Sequence, residues 1–189
     1  MTLGYAICGS FCTHARSLAV LDRLKAEGYD ILPIVSETAA STDTRFGRAD
    51  VLLEHLRTVC GHEPIRTIRE AEPLGPAHPL DALIIAPCTG NTLAKLANGI
   101  TDTAVCMAAK AHMRTSRPLL ISLASNDALS ANLANIAHLL GRKNIFFVPL
   151  LQDDPLGKPH SLVADMEQIP DATRAMLDGK QLRPLFLSR

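Results

Sequence analysis

Tryptophan is absent from this chain, and phenylalanine and tyrosine together supply only 4% of its residues. That excludes an aromatic stacking platform for single-stranded nucleic acid. Excess charge of either sign is missing too: 19 Lys and Arg balance 19 Asp and Glu. Nothing in that balance favours nucleic acid or an anionic membrane surface as a partner. No apolar run is long enough to cross a bilayer. Met1-Thr2-Leu3-Gly4-Tyr5 leads straight into strand-like sequence with no basic n-region, so no signal peptide is expected and the expected compartment is cytoplasmic. Cysteines number five, an odd count in scattered apolar contexts, which fits a reducing compartment. Cys8 and Cys12 straddle a turn without a CxxC or His partner, so no metal site is expected. Internal repeats and low-complexity tracts are likewise missing. What is present is 189 residues, 47% of them hydrophobic, enough for one domain over residues 1–189 with a full core.

The chain is organised around Asp81-Ala82-Leu83-Ile84-Ile85-Ala86-Pro87-Cys88-Thr89-Gly90-Asn91-Thr92. Its first half is a short apolar run, the pattern of a strand buried on both faces, which Pro87 is expected to end. From Thr92 an Ala- and Leu-rich helix follows, with Thr89 or Asn91 as its cap. The chain opens in the same way. Leu3 to Cys8 is apolar, Gly9-Ser10 turns, and a helix from about Thr13 carries Ala15, Leu18, Leu21 and Leu24 on one face up to Gly28. Ile31 to Val35 is the next strand. This βαβ opening predicts an α/β fold: a three-layer, doubly wound domain with a mainly parallel sheet, Rossmann-like or flavodoxin-like.

Further along, Ser36 to Gly47 reads as a long polar loop, a length that in compact domains often carries function. Arg48 to Val59 reads as a helix with Val51, Leu52, His55 and Leu56 facing inward, and Pro64 to Pro79 as irregular. A helix from Thr101 to Ser116, capped by Thr101 or Asp102, precedes a strand at Leu119 to Leu123. Ala124-Ser125-Asn126-Asp127 opens a helix bearing Leu129, Leu133, Ile136 and Leu140, and Ile145 to Val148 is the last strand read. A loop from Gln152 to His160 leads to Ser161, read as the cap of a final helix that Pro170 kinks.

Three strand-to-helix turns are thus rich in small hydroxyl and amide residues: Gly9-Ser10, Pro87-Cys88-Thr89 and Ala124-Ser125-Asn126. In a parallel sheet they fall on one edge, where α/β proteins bind anionic ligands against helix N-termini. With Ser36 they can line one pocket of neutral donors suited to flavin mononucleotide (FMN). Taken one at a time, each turn is equally well read as an ordinary capped helix start. Cys88 stands beside a helix start, where a thiol pKa falls, and also reads as a small packing residue. Arg45, the one basic residue in its loop, can clamp a carboxylate or pair with Asp43. Lys110 and Arg117 are candidates for substrate or subunit contacts and, taken singly, also read as solvated cations.

Ala86 to Gly99 resembles the Pro-Ala-Ser-Ala-Asn-Thr segment of the flavoprotein superfamily of homo-oligomeric flavin-containing cysteine decarboxylases and flavin prenyltransferases, and the resemblance extends from Leu3 to about Leu177. Five further stretches resemble the family of dipicolinate synthase B subunits: Ser41 to Gly47, Ala71 to Pro76, Ser125 to Leu129, Lys143 to Phe147 and Gln152 to Pro155. The resemblance implies a part in oxidising a dihydrodipicolinate-level intermediate to dipicolinate, the spore calcium chelator, in the mother cell of a sporulating bacterium. It also implies an A subunit carrying NAD(P), a small dicarboxylate substrate, a homo-oligomer, and flavin-phosphate contacts at Gly9, Ser10, Ser36, Thr89, Asn91 and Thr92. Ser125 and Asn126 would lie near the third turn. The prenyltransferases' Arg-Glu pair is replaced here by Ala124-Ser125, and only Asn126 or Asn135 can echo the decarboxylases' Pro-x-Met-Asn signature. Neither His14 nor His55 sits in the motif of the decarboxylases' His base. These departures argue against prenyl transfer and decarboxylation, and no acid–base pair is assigned. A non-catalytic flavoprotein-fold scaffold, or a diverged member of those two enzyme classes, is the alternative.

Overall fold

Seven short strands form one sheet in the computed structural model, which describes residues 1–188. The parallel part comprises β1 (Thr2–Ile7), β2 (Asp30–Val35), β3 (Ala82–Thr89), β4 (Leu119–Ser125) and β5 (Ile145–Phe147), in the order β2-β1-β3-β4-β5. This is the flavodoxin-like order, with its switch point between β1 and β3. The α/β doubly wound, mainly parallel architecture read from the sequence is therefore the observed one. Two strands escaped that reading, β6 (Leu150–Leu151) and β7 (Leu162–Ala164). β5 pairs with the start of β4, while β7 runs antiparallel to its end, through Ala124 and Ser125.

The helices are α1 (His14–Ala26), α2 (Glu37–Ser41), α3 (Ala49–Cys60), α4 (Ile68–Ala71), α5 (Gly90–Asn98), α6 (Ala104–Met113), α7 (Leu133–Leu140) and α8 (Ile169–Leu177). The step from β1 to β2 runs one way across the sheet, and the steps onward to β5 run the other. Right-handed crossovers therefore put α1 on one face and α5 to α7 on the opposite one. α1 packs with α8, and α5 with α6 and α7.

Several boundaries differ from the sequence reading, each for a local reason. Pro87 does not end β3, which continues to Thr89; the register against β4 shifts between Ile85 and Cys88, where the missing proline donor falls. Pro87 still contributes an acceptor, its carbonyl oxygen taking the Cys8 N–H at 3.1 Å. The expected Ser36 loop begins with α2, whose Ala39 N–H donates to the Ser36 Oγ at 3.2 Å. Thr67 and Glu70 form a reciprocal capping box for α4 inside the stretch read as irregular. Thr103, not Thr101 or Asp102, caps α6. Residues 127–132 are a turn, because the Asp127 carbonyl draws in the N–H groups of Ser130 and Asn132, and α7 starts only at Leu133. Ser161 leads into β7 instead of a helix. Pro170 lies in the first turn of α8, where no donor is required, so it does not kink the helix.

On α1 the buried face is Ser17, Val20, Leu21 and Leu24, while Ala15 is exposed and Leu18 half-buried. Val51 on α3 points outward at 61% exposure, and His55 is half-buried against Asp22 at 2.9 Å. Ser17 keeps its buried position through hydrogen bonds. Its hydroxyl donates to the Ala86 carbonyl at 2.5 Å, and the buried Tyr5 hydroxyl lies 3.0 Å from both Ser17 oxygens. This cluster ties α1 to β1 and to the bend of β3. Replacing Ser17 by Ala strands the Ala86 acceptor and weakens the Tyr5 contact, so we expect a loss of roughly 1–3 kcal/mol in urea unfolding with an unchanged m-value. An unchanged midpoint would contradict that.

His112 generates a pH prediction. It is wholly buried, its Nε2 lies 2.9 Å from the Pro118 carbonyl oxygen, and its Nδ1 has no partner. Burial pushes its pKa below the ordinary 6.5. The unfolded chain therefore binds this proton more readily than the folded one. Stability falls as pH drops below about 6.5. The variant His112→Gln, measured by urea unfolding between pH 7 and pH 5, is expected to show a shallower acid slope than wild type.

Candidate functional site

The ends of β1, β3 and β4 meet at the carboxyl edge of the sheet, around a cavity of about 740 Å³. The first turn contributes Gly9 and Ser10, the second Thr89, Gly90 and Asn91, and the third Ser125, Asn126 and Asp127. Phe11 and Phe46 add apolar surface, and the segment entering β7 adds Asp153, Lys158, Ser161 and Val163. Six residues singled out from the sequence thus share one wall: Gly9, Ser10, Thr89, Asn91, Ser125 and Asn126.

The turns are joined to one another by side chains. Thr89 caps α5, its Oγ1 accepting the Thr92 N–H at 3.2 Å and lying 3.1 Å from Thr92 Oγ1. The Thr92 hydroxyl continues to the Cys8 sulfur at 3.3 Å, tying the second turn to the end of β1. On the other side, the Ser125 hydroxyl donates to Asp127 Oδ1, which also accepts from Asn132 Nδ2 at 3.0 Å. The Ser125 hydroxyl first, with Asn132 adding to it, holds the Asp127 carboxyl below its ordinary range against the opposing effect of burial. Gly90 packs directly on this cluster. A Cβ there would lie 2.5 Å from Ser125 Oγ, 2.7 Å from Asn132 Nδ2 and 2.8 Å from Asp127 Oδ1. A side chain there would have to push these groups aside, so the glycine lets α5 approach the third turn closely.

Free donors remain on the wall. The side chains of Ser10, Asn91 and Asn126 make no hydrogen bond to another described residue, and the first N–H groups of α5 have no partner within the helix. The expectation of a nearly charge-free pocket needs correction: Asp127, Asp153 and Lys158 all line it. The first of these lies in the third turn itself, and the other two arrive on a segment that the sequence places far from any strand end.

Four expected cofactor contacts lie off the wall. Ser36 is 8% exposed and occupied as the cap of α2. Pro87 and Cys88 are buried inside β3, and Thr92 is buried within α5. Of its two readings Cys88 is the packing residue and not a lowered-pKa thiol: burial pushes it well above its ordinary value, and burial likewise pushes Cys8 up to about 12. Both are neutral packing thiols. The expected substrate cations also lie elsewhere. Arg45 is exposed, with its guanidinium 4.8 Å from the ring centre of Phe46, and Asp43 caps α3 through the Ala49 N–H at 2.9 Å instead of pairing with it. Lys110 lines a separate cavity of about 320 Å³ with Lys95, Arg114 and Arg142. Arg117 precedes β4, at the opposite edge of the sheet, and donates to the Leu80 carbonyl at 2.6 Å. His14 Nε2 lies 2.8 Å from the Cys8 carbonyl oxygen, and burial lowers its pKa. Asp153, Lys158, Ser161 and Val163 are wall residues that the sequence reading did not place at the site, and the Gln152 to Pro155 stretch was a signal for the first of them alone.

Comparison with known proteins places this geometry. The sequence matches the family described as Flavoprotein over residues 1–177. It is 42% identical over 185 residues to the B subunit of dipicolinate synthase of Bacillus subtilis (strain 168), covering 98% of this chain and 92% of that protein. The fold superposes on the crystal structure of the dipicolinate synthase B subunit from Bacillus halodurans C with a TM-score of 0.91 and 39% identity, covering 100% of this chain and 96% of that one. A more distant likeness is to the FMN-dependent cysteine decarboxylase SpaF, with a TM-score of 0.65 and 22% identity over 95% of this chain and 97% of that one. The chain is a member of the flavoprotein family and belongs with its dipicolinate synthase B subunits.

Proposed function

We propose that this chain is the flavin-holding component of a two-subunit dipicolinate synthase, in which an A subunit carries NAD(P) and the pair oxidises a dihydrodipicolinate-level intermediate to dipicolinate. The observation that carries this reading is the 42% identity, over 98% of the chain, to a dipicolinate synthase B subunit. On this reading the complex works in the mother cell of a sporulating bacterium. Exposed apolar side chains such as Val51, Leu133, Leu156 and Phe186 offer surface for the A subunit and for further copies of this chain.

The cavity fits FMN. Its volume lies in the range of cofactor pockets, and its walls combine apolar rings with backbone and side-chain donors. Gly9, Ser10 and Asn91, with the N–H groups at the start of α5, would hold the phosphate; the Asp127 carboxylate close to Gly90 is engaged by the Ser125 hydroxyl and the Asn132 amide. Thr89, Ser125 and Asn126 would border the ring. Bound FMN supplies electron-transfer chemistry that none of the side chains here can provide. The protein's own part is binding and orientation: among the described residues of the cavity no histidine pairs with a carboxylate, and the nearby Cys8 and Cys88 thiols stay protonated.

A second reading, a non-catalytic scaffold that supports the A subunit, draws on the use of the Thr89, Thr92 and Ser125 hydroxyls in internal bonds. Assaying the A subunit alone, this chain alone and the two together with dihydrodipicolinate and NADP separates the readings. We expect this chain to raise the rate in proportion to its bound flavin; a rate unchanged by its addition leaves only a structural role.

FMN added to the purified chain is expected to give visible flavin bands that survive desalting. Gly90→Ala forces the Ser125–Asp127 cluster away from α5 and is expected to weaken FMN binding at least tenfold, with circular dichroism showing a folded protein. Wild-type retention of flavin in a folded Gly90→Ala variant would contradict this use of the wall.

A further inference from the structure

We infer that Lys158 binds a carboxylate of the ring substrate in the cavity at the carboxyl edge of the sheet, and that Asp153 positions its ammonium there. The inference rests on the proposed function, because it takes a planar dicarboxylate as the ligand. Such a ligand needs positive charge in a wall that already contains Asp127 and Asp153. Among the described residues lining the cavity, Lys158 is the only cation. Of the three cations expected from the sequence, Lys110 and Arg117 lie elsewhere, and Arg45, stacked on the cavity-lining Phe46, does not itself line the cavity.

The segment carrying Lys158 is built to hold it. Asp154 Oδ1 accepts the Gly157 N–H at 2.8 Å, and the Asp154 carbonyl accepts the Lys158 N–H at the same distance. The Lys158 carbonyl accepts the Ser161 N–H at 3.0 Å, and Gln152 Nε2 donates to the Pro159 carbonyl at 3.0 Å. A Cβ at Gly157 would fall 2.2 Å from the Asp154 carboxylate, so a side chain there would push that carboxylate aside. Lys158 Nζ then lies 3.2 Å from Asp153 Oδ2, while Asp153 Oδ1 is buried without a partner.

An ammonium has three donors, and Asp153 takes one. Lys158 is 56% exposed at its side chain, so the ion pair adds little to stability, and its other donors remain open to a ligand. A compact ammonium accepts a carboxylate from many directions, which suits a site that must release its product. Val163 and Phe46 on the same wall provide apolar surface for a flat ring.

The probe is pyridine-2,6-dicarboxylate, titrated calorimetrically into the full chain in the presence of FMN. Lys158→Met is expected to weaken its binding at least tenfold, Lys158→Arg to recover most of the loss, and both to retain flavin as wild type does. Asp153→Asn is expected to weaken binding severalfold without changing the thermal midpoint or the flavin content, which a purely structural role would alter. Equal affinity in wild type and Lys158→Met would overturn the inference while leaving the flavin-holding reading intact. Wild type that retains flavin yet binds no dicarboxylate would also overturn it, and would put the substrate on the A subunit. Loss of flavin in wild type itself would count against the broader reading instead.

Discussion

The constraint that shapes this protein is the position of β3 between two parallel neighbours with both of its faces buried. A strand paired on both sides has its ends fixed relative to those neighbours. β1, β3 and β4 therefore finish near one level, and the turns that follow them must share one rim. Side chains then lock that rim. Thr92 reaching the Cys8 sulfur fixes the first turn to the second, and Gly90 against Ser125, Asp127 and Asn132 fixes the second to the third. A cavity bounded in this way is set by the sheet itself, and loop flexibility has little say in it.

The locking groups are the ones that composition makes look like ligand donors. Each hydroxyl has one proton to give, and the protons of Thr89, Thr92 and Ser125 go to neighbouring side chains. What is left for an anion is backbone N–H at the start of α5 together with Ser10, Asn91 and Asn126. The charge on the wall is correspondingly uneven, with Asp127 beside the third turn and the Asp153–Lys158 pair at the approach to β7. Anions thus have two favoured places on this wall, the start of α5 and the ammonium of Lys158, with the Asp127 carboxylate close to the first and turned to Ser125 and Asn132.

Much of this was legible in the sequence because the informative signals are local. Continuous apolar runs such as Leu83-Ile84-Ile85 mark doubly buried strands, and small polar residues after them mark the turns, so the doubly wound class followed from the order of elements. Gly9, Ser10, Thr89, Asn91, Ser125 and Asn126 meet around one cavity because each stands immediately after, or at the end of, a parallel strand. The failures involve the opposite situation. β6 and β7 are two and three residues long and exist only by pairing with each other and with the end of β4, which no periodicity reveals. Pro170 reads as a breaker until the start of α8 is known, and Ala15 reads as core until Ser17 is seen to satisfy its hydroxyl on the Ala86 carbonyl. Arg45 drew attention as an isolated charge in a polar stretch, whereas its neighbour Phe46 is the one on the cavity wall. Lys158 had no local signal of its own; its place depends on an antiparallel return that the sequence does not announce.

The central claim is that the rim where β1, β3 and β4 end is a flavin cavity. A crystal of this protein grown with FMN tests it most directly. The account predicts difference density for the flavin between the Gly9–Ser10, Thr89–Asn91 and Ser125–Asn126 turns, with its phosphate on the side of Gly90 and Asn91. Flavin density at another surface, or a cavity holding only solvent at saturating FMN, would contradict it.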